Sequence, residues 1–452
     1  MTKANKTPKD LADKVCAALK RRKNVCPPED SMARLFESMF YASLRTEESR
    51  PIAFHAVYLN PNEPDPSPPP SPRPNRWMPV YLEKRIPVTV ENLVKISSAS
   101  DPRTSSLAIY HDVQGQLFIW ALVDQGNSYY DLVNYESPSG YVRPGVFQAS
   151  IEGIGHIVAF AGIEKIAELK VNSVITRVLD VLRGGPVHDK LMHGAIVYMD
   201  AVKGMLTRQG VPTFEEMKEA VTDVWFESVC RLLLRVQRYH HGGSILITPD
   251  LSLCHLNSKY QLVYDRLSTA IQRKGLMMVQ MEVQENISDK YIERDAGRIP
   301  ISHYWDYRIL TDRIEDSNKE LDGAIWFVSL LTRVDGLVLL DQTLRVRGFG
   351  VEITCSDEPS EVFVAGRRKA TRLKRIDYHH YGTRHRSMMR YCSQVPESVG
   401  FVVSQDGDVR VMTQVEGQLI MWENIKLQLL DFIRREKRQA ANGKKQTSNK
   451  LG

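Results

Sequence analysis

The sequence predicts an α/β protein: a C-terminal domain built on a mixed sheet with flanking helices, preceded by an α+β N-terminal domain. Three observations carry this. A strong helical pattern ends at His241-Gly242-Gly243 and passes directly into a short apolar strand at 244–248. Helical and strand-like segments then alternate through to residue 438. Before residue 175, short strand-like runs surround a helical segment at 32–44.

Taken in order, residues 1–28 are polar and lysine-bearing and are expected to form a flexible N-terminus. The apolar positions Leu35, Phe36, Met39, Phe40 and Leu44 recur at helical spacing, and 51–58 reads as a strand. Eight prolines crowd into residues 61–74, which excludes sheet pairing or a helix there and favours extended geometry. Strand-like sequence resumes at 77–81, so the proline run reads as a loop inside a domain spanning 29–175. Residues 107–110 and 117–122 form a hairpin pattern around Gly115. Tyr129, Tyr130, Tyr135 and Tyr141 follow in a loop-rich stretch. Gly153-Ile154-Gly155 is a lone G-x-G, without the context of a dinucleotide site. Residues 163–209 read as mainly helical, with 176–211 as a helical connector broken at Gly184-Gly185-Pro186.

The C-terminal domain spans 212–433. Thr213 and Glu216 have capping-box spacing at the start of its first helix. Further helices are predicted at 262–271, 317–331, 387–391 and 427–438. Strands are predicted at 338–340, 344–346, 351–354, 401–403, 409–412 and 418–421.

The formal net charge of +6 hints at nucleic acid, but its location removes most of that hint. Residues 434–452 hold seven basic residues against Glu436, which accounts for the whole excess and reads as a basic disordered tail. No stretch approaches the roughly 18 apolar residues of a membrane span, and no apolar leader is visible, so a cytoplasmic location without membrane attachment is the default expectation. The six cysteines are scattered without a C-x-x-C pair, which supports neither a zinc ribbon nor a thioredoxin-like motif.

The chemistry concentrates in two short stretches. Tyr381-Gly382-Thr383-Arg384-His385-Arg386 places a glycine turn, a hydroxyl and three basic side chains before a short predicted helix. Arginine forks match phosphate oxygens, and helix N-termini favour anions. Asp335-Gly336 lies where an apolar helix gives way to a strand; a carboxylate there suits a divalent metal or a hydroxyl proton. Ser404 and Asp406 stand at a strand end, where ligands are commonly met in α/β folds. Arg367, Arg368, Lys369, Arg372, Lys374 and Arg375 form a basic loop that keeps nucleic-acid binding open as a weaker alternative.

Asp335-Gly336-Leu337 followed by Gly382-Thr383-Arg384-His385-Arg386 resembles the D-G-A and G-T-R-H-R signatures of diadenylate cyclase (DAC) domains of the DNA-integrity-scanning type. His241-Gly242-Gly243-Ser244-Ile245-Leu246, Gly348-Phe349-Gly350 and Phe401-Val402-Val403-Ser404-Gln405-Asp406-Gly407 fit the same family in order. The likeness covers roughly 215–430. Residues 28–175 resemble the N-terminal probable sensor domain of one branch of these enzymes, through Phe40-Tyr41-Ala42-Ser43-Leu44 and the segment 47–51.

The resemblance implies condensation of two ATP into the second messenger cyclic di-AMP with release of pyrophosphate, on homo-oligomers whose cyclase domains face each other. It implies Asp335, Arg384, His385 and Arg386 as catalytic residues. It implies ATP contacts from Gly336, Leu337, Gly382, Thr383, Arg384, Arg386, Ser404 and Asp406. It implies Mg²⁺ or Mn²⁺ held by Asp335 and His385, and an unidentified small-molecule signal at the N-terminal domain. Three departures stand out: Leu337 where the family has alanine, Ser387-Met388 for an Ala-Ala pair, and Gln405 for the usual glutamate. They leave open a nucleotide-binding sensor with weakened catalysis.

Overall fold

The computed structural model describes residues 5–63, 78–126, 146–162, 164–211, 214–249, 255–294 and 298–427. The proline run from 64 onward, the tyrosine cluster, Thr213, Cys254 and the basic tail lie outside the described residues. The chain divides into two compact units, Met1–Val178 and Leu179–Gly452.

The first unit opens with α1 (Pro8–Arg21), a correction to the flexible N-terminus expected from composition. Thr7 and Asp10 cap it reciprocally, Pro8 occupies its first turn, and Leu11, Val15 and Leu19 form a buried stripe. The elements α2 (Glu29–Ser43), β1 (Thr46–Glu47), β2 (Arg50–Pro51), β3 (His55–Tyr58), β4 (Met78–Pro87), α3 (Val90–Ser97), β5 (Ser105–His111) and β6 (Leu117–Asp124) follow. Then come β7 (Phe147–Gly153), β8 (His156–Ala161), β9 (Glu164–Lys170) and β10 (Ser173–Ile175). An eight-stranded sheet runs β10-β9-β8-β7-β3-β5-β6-β4, with only β3 and β5 parallel among its described pairs. Residues alternate across it: Ala56, Tyr58, Leu107 and Ile109 join the cluster with the helices, while Val57, Leu59 and Ala108 join Phe118 and Trp120 in a second cluster. Residues 164–175, expected to be helical, are strands. Their Glu-Lys-Ala-Leu composition suits a helix, but pairing with β8 overrides that preference.

In the second unit a 3₁₀ turn (Val181–Arg183) precedes α4 (Pro186–Arg208) and α5 (Phe214–Arg238), so the expected connector packs as part of this unit. The rest is β11 (Gly243–Ile247), β12 (Leu256–Tyr264), α6 (Arg266–Arg294), α7 (Ile301–Leu331), β13 (Leu337–Leu340), β14 (Val346–Ile353), β15 (Val362–Ala365), β16 (Leu373–Ile376), α8 (Thr383–Gln394), β17 (Val399–Val403), β18 (Val409–Val415) and β19 (Gln418–Trp422). They build a mixed nine-stranded sheet, β12-β14-β13-β11-β17-β18-β19-β15-β16. The β11–β13 and β15–β19 pairs are parallel. Leu246, Leu337, Leu339, Val402, Met412 and Met421 turn one face toward Met388, Met389 and Cys392 of α8. α4, α5 and α7 also pack on this sheet.

Three expectations change here. Residues 262–264 end strand β12 rather than begin a helix, because the strand runs on through a register shift to pair Tyr264 with Val346 of β14. The helices predicted at 262–271 and 317–331 are instead a pair of 29 and 31 residues packed on each other. In their outer turns apolar residues such as Ile301, Tyr304, Trp305 and Ile309 are exposed rather than confined to one buried stripe, which hid the period from the sequence. Residues 344–346 and 351–354 belong largely to one strand, β14. Leu344 sits in the preceding turn at φ 62°, where Asp341 accepts from the backbone N–H groups of Thr343 and Arg345.

Leu339 is fully buried on β13, in the cluster that faces α8. Leu339→Ala is expected to cost about 2–5 kcal/mol, read from urea unfolding followed by circular dichroism.

Candidate functional site

Asp335 ends the turn after α7, and Gly336 opens the way into β13 at φ 114°. A β-carbon on Gly336 would lie 2.5 Å from the Gly350 carbonyl carbon, so only glycine lets β13 and β14 approach here. The outcome is a carboxylate held out from the sheet: the Asp335 side chain is 92% exposed. Leu337 is buried, and its side chain is part of the sheet core facing α8.

The second motif forms the start of α8. Gly382 is its N-cap in extended geometry, with no side chain capping the helix. Thr383 is exposed as the first helical residue, and the first turn holds no acid. Arg384, His385 and Arg386 thus stand at the positive end of a helix dipole, the end at which cations are disfavoured. The Arg386 Nε is buried and has no hydrogen-bond partner among the described residues.

The fold brings the two motifs together. Arg384 Nη2 lies 3.7 Å from Asp335 Oδ1, and its Nη1 donates to the His241 carbonyl at 3.4 Å. Gly242 lies beneath this guanidinium: a β-carbon there would be 2.9 Å from Arg384 Nη1 and 3.0 Å from the Val403 carbonyl oxygen. An ion pair this exposed contributes little stability, so its interest is positional.

His385 turns inward. Arg410 Nη1 donates to its Nε2 at 3.2 Å, which requires that nitrogen to carry a lone pair and no proton. Burial, then the charges of Arg410 and Arg384, push the imidazole down to about 4, against an opposing pull from Asp408. With Nε2 engaged and the neutral ring's proton on Nδ1, this arrangement does not fit the metal role expected of His385. Asp335, by contrast, fits an ion that arrives with phosphates and keeps much of its water. Among the described residues, no group of three or more His, Cys, Asp or Glu side chains could hold a metal by itself.

Arg410, on β18, went unflagged in the sequence, where a single arginine within a strand carries no signal. It also meets Glu423 at 3.2 Å and lies 3.7 Å from Asp408. Tyr381 donates to the same Glu423 carboxylate, and burial followed by that charge pushes its hydroxyl up to about 12. Asp408, not Asp406, is the carboxylate whose charge acts on His385; Asp406 is exposed on the turn beside it. Ser404 shapes that turn, its Oγ accepting from the Asp408 N–H at 3.0 Å. Gln405 is exposed there as well. Beside Asp335, Tyr260 of β12 stacks on Phe349 at 4.7 Å, and Lys259 feels the Asp335 charge.

Residues 21–124 match the family model described as Probable sensor domain DACNV. Part of the first unit is therefore similar to a domain described as a probable sensor. The match spans α2 through β6 and stops short of the later strands of the same sheet. No curated protein matches the chain. Among the described residues, no helix is long and apolar enough to cross a membrane.

Gly336→Ala is expected to cost about 1–3 kcal/mol in thermal denaturation, from the φ of 114° and the clash with Gly350. A pH series isolates His385. Its folded pKa lies below its unfolded value near 6.5, so the unfolded chain takes up the proton first as pH falls. Stability tied to the neutral ring is present above about pH 6.5 and lost down to about pH 4. His385→Gln should flatten that decline relative to wild type in urea titrations; parallel curves would argue against it.

Proposed function

We propose that the protein is a diadenylate cyclase regulated by its N-terminal sensor domain. The observation that carries this reading is the meeting of Asp335 with an uncapped helix N-terminus bearing Arg384 and Arg386. Such clustered cations lose stability at that end of a helix unless an anion offsets them, and a triphosphate is a suitable anion. The match to a DACNV sensor domain ahead of this unit supports the same reading.

In this reading the N–H groups of Thr383 and Arg384, with the Arg384 and Arg386 guanidinium groups, bind the phosphates of one ATP. Gly336, Leu337, Gly382, Ser404 and Asp406 bound the same nucleotide through backbone or turn positions. Two copies face each other so that each ribose 3′-hydroxyl attacks the α-phosphate held by the other. The new 3′ O–P bond forms as the α–β phosphoanhydride breaks, and pyrophosphate leaves. Asp335 orients the hydroxyl and can take its proton. Mg²⁺ or Mn²⁺, bound with the triphosphate against Asp335, would neutralise developing charge. His385 acts as a neutral strut between Arg384 and Arg410 rather than as a ligand. A second reading, nucleotide binding without turnover, is favoured by Gln405, which removes a negative charge beside the turn.

Incubation with ATP and Mg²⁺ or Mn²⁺ should yield cyclic di-AMP by mass spectrometry. Asp335→Asn should abolish product with an unchanged circular dichroism spectrum. Arg384→Ala should weaken ATP binding by about tenfold to a hundredfold. Saturable ATP binding without product selects the second reading, and absence of both binding and product overturns both.

A further inference from the structure

The sensor-bearing unit contains a pair of cysteines that its family match leaves unassigned. Cys16 is buried on α1, and Cys26 is half-buried in the segment leading to α2; both are free thiols. Cys16 lies in the core cluster of this unit and Cys26 packs against that cluster, so the two side chains are neighbours.

The chain is built to keep them together. After α1 the Asn24 N–H donates back to the Leu19 carbonyl at 3.1 Å, and Lys23 takes φ 58°, so the backbone reverses at once. Lys20 on α1 binds Glu29 on α2 at 2.5 Å, closing the other side of the loop. Pro27 and Pro28 then restrict the backbone immediately after Cys26. Cys26 packs against the same core cluster as Cys16, a cluster that also holds Tyr58. Tyr58 stacks on Tyr110 at 5.0 Å and meets His111 Nδ1 at 2.5 Å, so the pair borders a polar cluster inside the sheet layer.

We propose that Cys16 and Cys26 are a redox couple that closes to a disulfide when the protein meets a peroxide. The half-buried Cys26, as thiolate, attacks one peroxide oxygen; the O–O bond breaks, giving a sulfenic acid and hydroxide. The Cys16 sulfur then attacks the Cys26 sulfur, the S–O bond breaks, and the leaving hydroxide takes the Cys16 proton as water. Peroxide is reduced and the two thiols are oxidised. Burial raises the Cys16 thiol to about 12, so the first attack on peroxide falls to the more exposed Cys26. The product ties the end of α1 to the approach to α2, beside Tyr58, and so gives the sensor domain two covalent states.

The test uses the full chain treated with hydrogen peroxide, alkylated and digested with trypsin. Cleavage after Lys14, Lys20, Lys23 and Arg34 separates the two cysteines, so a disulfide links two peptides that are otherwise apart. The expected result is that linked pair, reversed by dithiothreitol, with loss of two of the six thiols in a denatured titration. Cys26→Ser should show neither the link nor the paired loss. A wild-type digest without the linked pair, in which Cys26 is found alkylated or singly oxidised after peroxide, would overturn the proposal. This readout is independent of nucleotide turnover, so it stands or falls separately from the cyclase reading.

Discussion

The α-carbon of Gly336 sits against the backbone of Gly350, and the rest of the candidate site follows from that approach. A β-carbon at Gly336 would lie within 2.8 Å of the Gly350 α-carbon and the Val351 nitrogen, so any larger residue would push β13 away from β14. With glycine in place, the strand enters the sheet in register with β11, and Asp335 is left outside it, facing Arg384. A second glycine limits the arginine from the other side, since Gly242 leaves room for the guanidinium above the β11 entry. Two backbone positions without side chains therefore fix the separation of a carboxylate and a cation that are distant in sequence.

The start of α8 is assembled against local stability. A helix whose first turn holds Arg384, His385 and Arg386 after Thr383, with no acid and no side-chain cap, forgoes the usual stabilisation of that turn. The sheet compensates on one side only. Arg410 holds His385 neutral, and Glu423 holds Arg410 and Tyr381, so the inner residue of the triplet is braced. Arg384 reaches toward the exposed Asp335 carboxylate, and Arg386 keeps an Nε without a partner among the described residues. That asymmetry, an inner residue braced and two cations at an uncapped helix start, suits an anion.

Much of this was legible in the sequence, for identifiable reasons. The step from α5 through Gly242-Gly243 to β11 was readable because capping and glycine signals are local. The hairpin of β5 and β6 was readable because Gly115 announces its turn; the role of Asp112, which accepts from the Gln116 N–H, came only with the structure. The parts that misled depended on partners far along the chain. β9 has a helix-forming composition and is a strand because β8 lies beside it. The core role of Leu337 and the bracing of His385 by Arg410 required knowing which strands are neighbours. Asp406 and Asp408 were equivalent as letters; the turn closed by Ser404 decides which one acts on His385.

The N-terminal unit adds a last step. The matched sensor region begins at residue 21 and includes Cys26, Tyr58, Tyr110 and His111, but not α1. α1 is nonetheless integral to the unit: Leu11, Val15 and Leu19 lie in the same core as α2 and the sheet, and Arg22 just beyond it binds Glu164 at the start of β9. This helix brings the second thiol to Cys26. A small-molecule site built only from the matched residues would have no need of Cys16, whereas a thiol pair needs α1 at this position. Redox chemistry here would therefore arise from what this chain adds to the matched region, and it would act where α1 and α2 meet the sheet, through helix position rather than through the opening of a pocket.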